Sequence, residues 1–307
     1  MNYTLQQIRI FSKVVRLKSI TKTALELHLT QPAVSIQLRN FQQQFEMPLF
    51  EVINKRFYVT DFGLEIVSAC NKILEDLILI DSRLAAFQGQ LTGKLKLSVV
   101  STGKYIAPYF LADFLKQNSA VDLWMDVTNK SEVLESLQNN EVDFALVSVV
   151  PDDLKVNKVE LLPNKLYVVT NTDRKIAKGQ KDKLFLKDLP FIYRELGSGT
   201  RFVMENYIKK SRLPIAKKME LRSNEAVKQA LIAGLGYSIM PLIGLKNELL
   251  NKQLQIVPVK GFPIQSKWVL IWQKDKKLSP VAKAYVDYIQ QEKQQIIESK
   301  FAWIHKY

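Results

Sequence analysis

A run of seven apolar residues at heptad spacing limits what this chain of 307 residues can fold into. The run lies within positions 61–88, and its spacings alternate between 4 and 3, as in the a and d positions of a coiled coil. Its members, which we call the heptad stripe, are Ile66, Cys70, Ile73, Leu77, Ile80, Leu84 and Phe87. One helix cannot bury such a stripe alone, so the pattern predicts dimerisation, with a second copy of the chain as the simplest partner. We interpret Cys70 as a small buried apolar residue rather than a reactive thiol.

Three short helices are predicted before the heptad stripe. Leu5, Ile8, Phe11 and Val15 form the apolar face of the first, and a second begins after Ser19. The third begins after Thr30, whose hydroxyl can cap it, and Pro32 is tolerated in its first turn. Its apolar stripe is Val34, Leu38, Phe41 and Phe45. This arrangement predicts a helix-turn-helix, with a helical bundle as the alternative.

The exposed side of the third helix presents Gln31, Ser35 and Arg39, where a solvated helix usually carries Glu or Lys. All three side chains can hydrogen-bond to bases or phosphates, so this face is predicted to contact DNA. Residues 49–53 and 56–60 then predict a β-hairpin with Asn54 in its turn. Such a hairpin is a wing, and its tip, Lys55-Arg56, is either a DNA contact or an ordinary charged turn.

Charge and composition are compatible with DNA binding without establishing it. The net charge is +14, but residues 1–65 contain eight Lys and Arg against five Asp and Glu, only +3 of that surplus. A single Cys excludes an intramolecular disulfide framework. Neither a signal peptide nor an apolar run long enough to cross a bilayer is evident, so we expect a cytoplasmic protein without membrane contacts.

Strands and helices alternate after Gly93, which predicts an α/β domain with a parallel sheet. The predicted strands are 95–100, 122–128, 143–147, 165–169, 190–193, 219–222, 237–240 and 268–272. Helices are predicted at 105–117 and 133–138, from about 200, from 224, and at 280–291. The segment 293–307 has no assignment.

Enzyme motifs are missing from the sequence. His28, predicted to be a surface or capping residue, and His305 are the only histidines, so a Ser-His-Asp triad or a histidine metal site is hard to build. Gly-Ser-Gly-Thr-Arg at 197–201 lacks P-loop spacing, and no GxGxxG follows a strand. We therefore expect neither enzymatic activity nor a metal or cofactor.

Several motifs resemble the LysR-type transcriptional regulators. In the N-terminal part they are Ser19-Ile20-Thr21, Thr23-Ala24, Leu27, Thr30-Gln31-Pro32-Ala33-Val34-Ser35, Pro48-Leu49-Phe50-Glu51, Thr60-Asp61 and Gly63. Residues 194–201, 223–230, 234–236 and 277–280 look most like the branch that regulates Calvin-cycle (RuBisCO) operons. Val52 departs from this pattern, since the family commonly has Arg there, and Glu46 replaces a Gly that usually closes the recognition helix. A left-handed turn at Glu46 would cost about 1 kcal/mol, unless the helix ends differently.

The resemblance implies a fold and a set of partners. It implies a winged helix-turn-helix at 1–60, a linker helix at 61–90, and a two-lobed α/β effector domain of periplasmic-binding-protein type at 91–307. Lobe I would comprise about 94–162 and 267–292, and lobe II about 163–266. The implied partners are double-stranded DNA, a further copy or copies of the chain (dimer or tetramer), a small-molecule effector, and RNA polymerase. The DNA-contacting residues we predict are Ser19, Thr21, Thr30, Gln31, Pro32, Ser35, Arg39, Lys55 and Arg56.

A small anionic effector is predicted to bind between the lobes. Ligands of α/β sheets bind beyond the carboxyl ends of the strands, and helix N-termini favour anions. Hydroxyl, amide and guanidinium groups occupy such positions at Ser101, Thr102, Asn129, Ser148, Ser198, Gly199, Thr200 and Arg201. The alternative for 197–201 is a helix cap and turn alone. For the whole chain, the alternative to a DNA-binding regulator is a small-molecule-binding protein whose N-terminal domain serves only oligomerisation.

Overall fold

The chain forms two compact units, residues 1–89 and 90–307. The computed structural model describes residues 2–53, 56–87, 91–176, 179, 181–187, 189–213, 215 and 217–307. The first unit contains α1 (Leu5–Leu17), α2 (Ile20–Glu26), α3 (Gln31–Gln42), β1 (Phe50–Ile53), β2 (Arg56–Val59) and α4 (Asp61–Phe87). Asn54 and Lys55, predicted to form the tip of the wing, lie outside the described residues.

The first unit is a winged helix-turn-helix with an aromatic core. Phe11 and Phe41 are fully buried and have ring centroids 5.3 Å apart. Strands β1 and β2 pair antiparallel, and Phe50 stacks on Phe57 at 5.0 Å. Burial of these large rings against three short helices supplies the apolar area that a domain of this size needs. The inner face of α1 uses Ile8, Ile10, Phe11 and Val14, whereas the predicted Leu5 is 47% exposed.

Local hydrogen bonds determine where these helices begin. The Thr4, Ser19 and Thr30 hydroxyls each accept a bond from the backbone N–H three residues later. Thr60 does the same for Gly63 at the start of α4, and its hydroxyl also donates to the Pro48 carbonyl at 2.7 Å. A Cβ at Gly63 would lie 1.9 Å from the Leu49 carbonyl oxygen, which explains why this close contact has a glycine.

The heptad stripe divides into two parts. Ile66 and Cys70 pack on the core of their own winged domain, and burial raises the pKa of the Cys70 thiol to about 11. Ile73 and Ile80 are exposed, at 39% and 62%, and Leu77 is half-buried. Cys70 is therefore buried within its own winged domain and Ile66 is partly buried there, and their part in a dimer seam stays a prediction. The side chains of Leu84 and Phe87 lie outside the described residues.

Among the described residues, the second unit contains nine strands and six α-helices, with these bounds: β3 (Gly93–Val100), α5 (Ala107–Gln117), β4 (Val121–Thr128), α6 (Lys130–Gln138), β5 (Phe144–Val147), β6 (Val156–Asn171), β7 (Phe191–Arg194), α7 (Gly199–Lys210), β8 (Lys217–Leu221), α8 (Asn224–Ile232), β9 (Ser238–Pro241), α9 (Lys246–Leu250), β10 (Leu254–Val257), β11 (Ile264–Gln273) and α10 (Pro280–Phe301). Short 3-10 segments lie at Gly103–Tyr105, Lys183–Leu186, Leu242–Gly244 and Ala302–Lys306.

The sheet of the second unit is mixed, not parallel throughout as predicted. Strand β3 pairs in parallel with β4 and β5, and β7 pairs in parallel with β8. Strands β6, β9, β10 and β11 pair antiparallel. Strand β6, 16 residues long, and β11 are adjacent and pair antiparallel from Val156 opposite Gln273 to Leu166 opposite Ile264.

These two long strands connect two lobes. Near residue 160, β6 pairs with β11 and β11 pairs with β5, in lobe I with β3, β4, α5 and α6. Near residue 168, β6 pairs with β9 and β10, in lobe II with β7, β8, α7, α8 and α9. The carboxyl ends of β3, β4, β5 and β7 come close to one another, because residues at or just after these ends line one pocket.

The segment without an assignment continues α10 and belongs to the core. Ile296, Phe301 and Ile304 are at most 7% exposed, and the Phe301 ring lies 5.3 Å from Tyr109 and 6.0 Å from Phe110 of α5. Lys165 of β6 donates to the carbonyl oxygens of Ile304 and Tyr307. Across the described parts of the chain, no helix is long and apolar enough to cross a membrane.

Candidate functional site

The outward face of α3 is the candidate DNA-contacting surface of the first unit. Val34, Leu38 and Phe41 of this helix are buried, so Gln31, Pro32 and Arg39 are left exposed and Ser35 is half-exposed. Thr30 caps α3 through the Ala33 N–H, and Ser19 caps α2 through the Lys22 N–H. Helix-turn-helix proteins place the N-terminal part of the second helix of the motif, which is α3 here, against base edges.

The remaining predicted DNA contacts are less completely described. Thr21 is exposed on α2, whereas Lys55 and the side chain of Arg56 lie outside the described residues. Val52 on β1 is 53% exposed, so the wing presents an apolar side chain there.

His28 has a φ of +53° just after α2 and closes that helix. Glu46 is not left-handed, because α3 already ends at Gln42 with a right-handed cap at Gln43, so no strained turn arises.

A polar cleft lies where strands of both lobes end. Ser101 and Thr102 follow β3, Asn129 follows β4, and Ser148 follows β5. These four residues line one cleft with Ser198, Gly199 and Thr200 at the start of α7 in lobe II. Seven of the eight predicted effector-binding residues are thus brought together. Thr102, Ser198 and Thr200 are less than 9% exposed, so their hydroxyls face a site largely removed from solvent.

Two helix N-termini meet in this cleft, one from each lobe. Asn129 caps α6, accepting from the Glu132 N–H at 3.0 Å, and Ser198 caps α7, accepting from the Arg201 N–H at 3.4 Å. Ser198 therefore caps α7, and because both interpretations of 197–201 include this cap, the bond does not choose between them. The unpaired N–H groups of a helix's first turn carry partial positive charge, so both lobes present an anion-attracting end to the same space.

Arg194, the last residue of β7, is the charged group of the cleft that the sequence analysis missed. Its side chain is 4% exposed, and its Nε and Nη2 atoms donate to Glu195 at 2.8 Å. Nη2 also donates to Ser101 of lobe I at 3.0 Å. The third nitrogen, Nη1, is buried without a hydrogen-bond partner among the described residues. A buried guanidinium donor left unpaired is costly, so this atom points to a ligand.

Arg201 is the predicted effector-binding residue that the structure does not bring to the cleft. Its guanidinium donates to Glu205 at 2.7 Å and to Glu220 at 2.8 Å, and Nη1 also donates to the Arg194 carbonyl at 3.0 Å. Two carboxylates therefore already satisfy its charge. The sequence contained a signal for Arg194 instead, because Arg194 follows a predicted strand as Asn129 and Ser148 do.

Lys130 of lobe I and Gly197 of lobe II each lie close to a residue of the opposite lobe at the cleft. Lys130, the first residue of α6, lines the cleft, and its Nζ lies 4.4 Å from the ring centroid of Phe202 on α7. Burial lowers the pKa of the Lys130 ammonium, although nearby Asp153 opposes this. A Cβ at Gly197 would be 2.9 Å from the Ser131 hydroxyl. In the described part of the chain, no cluster of His, Cys, Asp and Glu could hold a metal ion.

Comparison with known families covers both units. Residues 5–64 match the bacterial regulatory helix-turn-helix proteins of the lysR family, and residues 88–294 match the LysR substrate binding domain. The transcriptional activator CmpR of Synechocystis sp. is 37% identical over 94% of this chain and 95% of its own length. The RuBisCO operon transcriptional regulator of Acidithiobacillus ferrooxidans is 36% identical over 93% of both chains.

Solved structures agree with these matches. The regulatory domain of Synechocystis CcmR, solved in complex with 2-PG (2-phosphoglycolate), covers 64% of this chain and 96% of its own at 33% identity, with a TM-score of 0.62. Full-length CbnR in complex with its target DNA covers 94% of this chain and 99% of its own with a TM-score of 0.64, and at 19% identity it shows the fold alone. These relatives are named as regulators rather than enzymes. The chain therefore belongs to the LysR family of transcriptional regulators, and it combines a DNA-binding winged helix-turn-helix with an effector-binding domain like those of the RuBisCO operon regulators.

Proposed function

We propose that the cleft between the lobes binds a small metabolite with two anionic groups and that its occupancy changes DNA binding by this cytoplasmic regulator. The observation that carries the proposal is the unpaired Nη1 of Arg194, buried at the cleft. Arg194 and Lys130 approach from different lobes and each has a helix N-terminus nearby. A ligand with two negative groups would pair with both sides, whereas a monoanion would leave one side unmatched.

A phosphorylated carboxylate fits this pattern best. A phosphoryl group accepts many hydrogen bonds, and Thr102, Ser198 and Thr200 supply buried hydroxyls. The 33% identical CcmR regulatory domain was solved with 2-phosphoglycolate, a ligand of this class. The cleft is nearly closed in this structure, with a volume of only about 10 Å³, so a metabolite would enter it as the lobes move apart. We propose this class of effector and no other cofactor.

The effector would act by selecting one arrangement of the lobes. Ser101 of lobe I accepts a hydrogen bond from Nη2 of Arg194 of lobe II at this cleft, so a ligand there contacts both lobes. A ligand shifts an equilibrium only by its difference in affinity for the two states. A homo-oligomer joined through the exposed part of the heptad stripe would transmit that shift to paired winged domains. The match of residues 5–64 to DNA-binding domains favours this function over oligomerisation alone.

The test is thermal unfolding of purified protein with and without 2-phosphoglycolate, inorganic phosphate and glycolate. A ligand present at about 100 times its Kd stabilises the folded state by about 2.7 kcal/mol, which raises Tm by roughly 5–10 °C here. We expect 2-phosphoglycolate to raise Tm most. Arg194→Gln should remove most of this shift, because it deletes a charged donor to the ligand.

Arg201→Gln is the matched control, since it removes the same charge in the same segment but from a side chain paired outside the cleft. It should keep the ligand-induced shift. If Arg194→Gln does not fold, Thr102→Val tests the same cleft with a change of similar volume. Equal shifts in the wild type and both cleft variants would contradict the proposed site. DNA affinity that is unchanged by a bound ligand would contradict the regulatory role.

A further inference from the structure

An exposed isoleucine stands at the centre of the outward face of α3. Ile36 is 55% exposed, while Val34 and Leu38 on either side of it are at most 2% exposed. Because residues of a helix are about 100° apart, a position two residues from both buried side chains lies about 200° from each of them. Ile36 thus points directly away from the core of the winged domain, and it is not among the residues that pack on that core.

The neighbours of Ile36 on this face are those of a base-reading surface. Pro32, four residues earlier, and Asn40, four residues later, are exposed on the same side. Ser35 and Arg39 flank this row with hydrogen-bonding groups. Pro32 and Ile36 therefore form a short apolar ridge between polar side chains, at the N-terminal half of the helix that enters the major groove.

The base edges in the major groove offer an apolar side chain one apolar group to pack against. Each base pair presents hydrogen-bond donors and acceptors there, and the thymine C5-methyl group is the apolar one. Ile36 cannot hydrogen-bond through its side chain, so it cannot contribute to specificity by donor and acceptor pairing. Phosphate contacts carry no direct sequence information, so charge on this domain does not supply that specificity either.

We propose that Ile36 determines part of the operator specificity of this regulator by packing against the C5-methyl of a thymine in each half-site. The contact adds an apolar term to the hydrogen bonds that Gln31, Ser35 and Arg39 are predicted to make. Continuity with that predicted DNA-contacting face commits the exposed ridge to DNA rather than to a protein partner.

The experiment starts from duplexes that the wild-type protein enriches from a random-sequence pool. Each thymine of the enriched site is then replaced by deoxyuridine, which removes only the methyl group and preserves every hydrogen bond. Binding is measured by fluorescence anisotropy at one fixed salt concentration, because phosphate contacts make Kd strongly salt-dependent. We expect uracil at one thymine of a half-site to weaken wild-type binding about fourfold, the effect of one methyl group removed from apolar contact.

Ile36→Ala should bind the thymine and uracil duplexes equally at that position. Leu25→Ala is the matched control, because Leu25 is also exposed, at 73%, but lies on α2. It should retain the wild-type preference for thymine. The proposal is overturned if the wild type is indifferent to uracil at every thymine, or if Ile36→Ala keeps the same preference at the same position.

Discussion

Gly197 lies between the lobes with a backbone that suits glycine. Its φ is +85°, and a Cβ there would be 2.9 Å from the Ser131 hydroxyl and 3.3 Å from the Asn129 side-chain oxygen. Two costs would therefore follow an alanine: backbone strain at positive φ and contact with the opposite lobe. Only the second depends on how closely the lobes approach each other.

Gly197→Ala is expected to weaken binding of an anion in the cleft by about tenfold, since overpacking costs on the order of 1–3 kcal/mol in the closed arrangement. Gly179→Ala is the control, because Gly179 has a similar φ of +90° but no atom of the described residues within 4 Å of its Cβ position. Both variants carry the strain of about 1 kcal/mol. Isothermal titration calorimetry with 2-phosphoglycolate separates them, and equal affinities would show that the close approach does not limit binding.

Arg194 and Arg201 are the same type of residue, but only Arg194 lies in the cleft. Both are arginines of the motif 194–201, and both are mostly buried. They differ in their hydrogen-bond partners across the chain. Arg194 donates to Ser101, 93 positions earlier, whereas Arg201 donates to Glu205 and Glu220. A guanidinium with two carboxylate partners has few donors left for a ligand, and that pairing is invisible in the sequence.

The C-terminal segment is an element of the effector domain rather than an appendage. Phe301 is 2% exposed and contacts α5, and Lys246 of α9 lies 5.6 Å from the Trp303 ring. Segment 293–307 mixes charged and aromatic residues, so its apolar periodicity is weak by itself. Its buried side is defined by α5 and β6, which are distant in sequence.

Phe301→Ala should lower the free energy of unfolding of the protein by about 3–5 kcal/mol, the usual cost of removing a fully buried phenylalanine ring. The adjacent Lys300→Ala, on the exposed side of α10, should change it by less than about 0.5 kcal/mol. Urea unfolding followed by circular dichroism measures both. Similar values for the two variants would contradict a core role for this segment.

At the scale of the whole molecule, α4 presents apolar residues that its own chain does not cover. Ile73 and Ile80 are exposed, whereas Cys70 in the same stripe is buried by the winged domain. An exposed apolar row of this length favours pairing with another helix. We expect the C-terminal part of α4 to join two copies of the chain.

Ile80→Asp is expected to weaken self-association by about a hundredfold or more, because dimerisation would then bury an unpaired carboxylate. Ser68→Asp, exposed and outside the heptad stripe, introduces the same charge without entering the predicted interface. Analytical ultracentrifugation over a concentration series measures both. A wild-type oligomer that Ile80→Asp leaves intact would place the interface elsewhere.

The sequence alone determined the features that depend on neighbours along the chain. Hydroxyl caps at Thr30 and Ser198, the apolar period of α3 and the alternation of strands and helices are local, since each follows from residues within a few positions. The cleft residues that follow strands β3, β4 and β5 were predictable on the same basis. The family motifs are themselves short stretches of neighbouring residues.

Only the tertiary structure decided which groups meet across the chain. It placed Arg194 rather than Arg201 in the cleft, covered Cys70 with the winged domain, and buried Phe301 against α5. It also showed that two long antiparallel strands, β6 and β11, join the lobes, where the sequence predicted a parallel sheet. Each outcome depends on contacts between residues far apart in sequence, and the energies of such contacts are set by burial and geometry that local patterns do not contain.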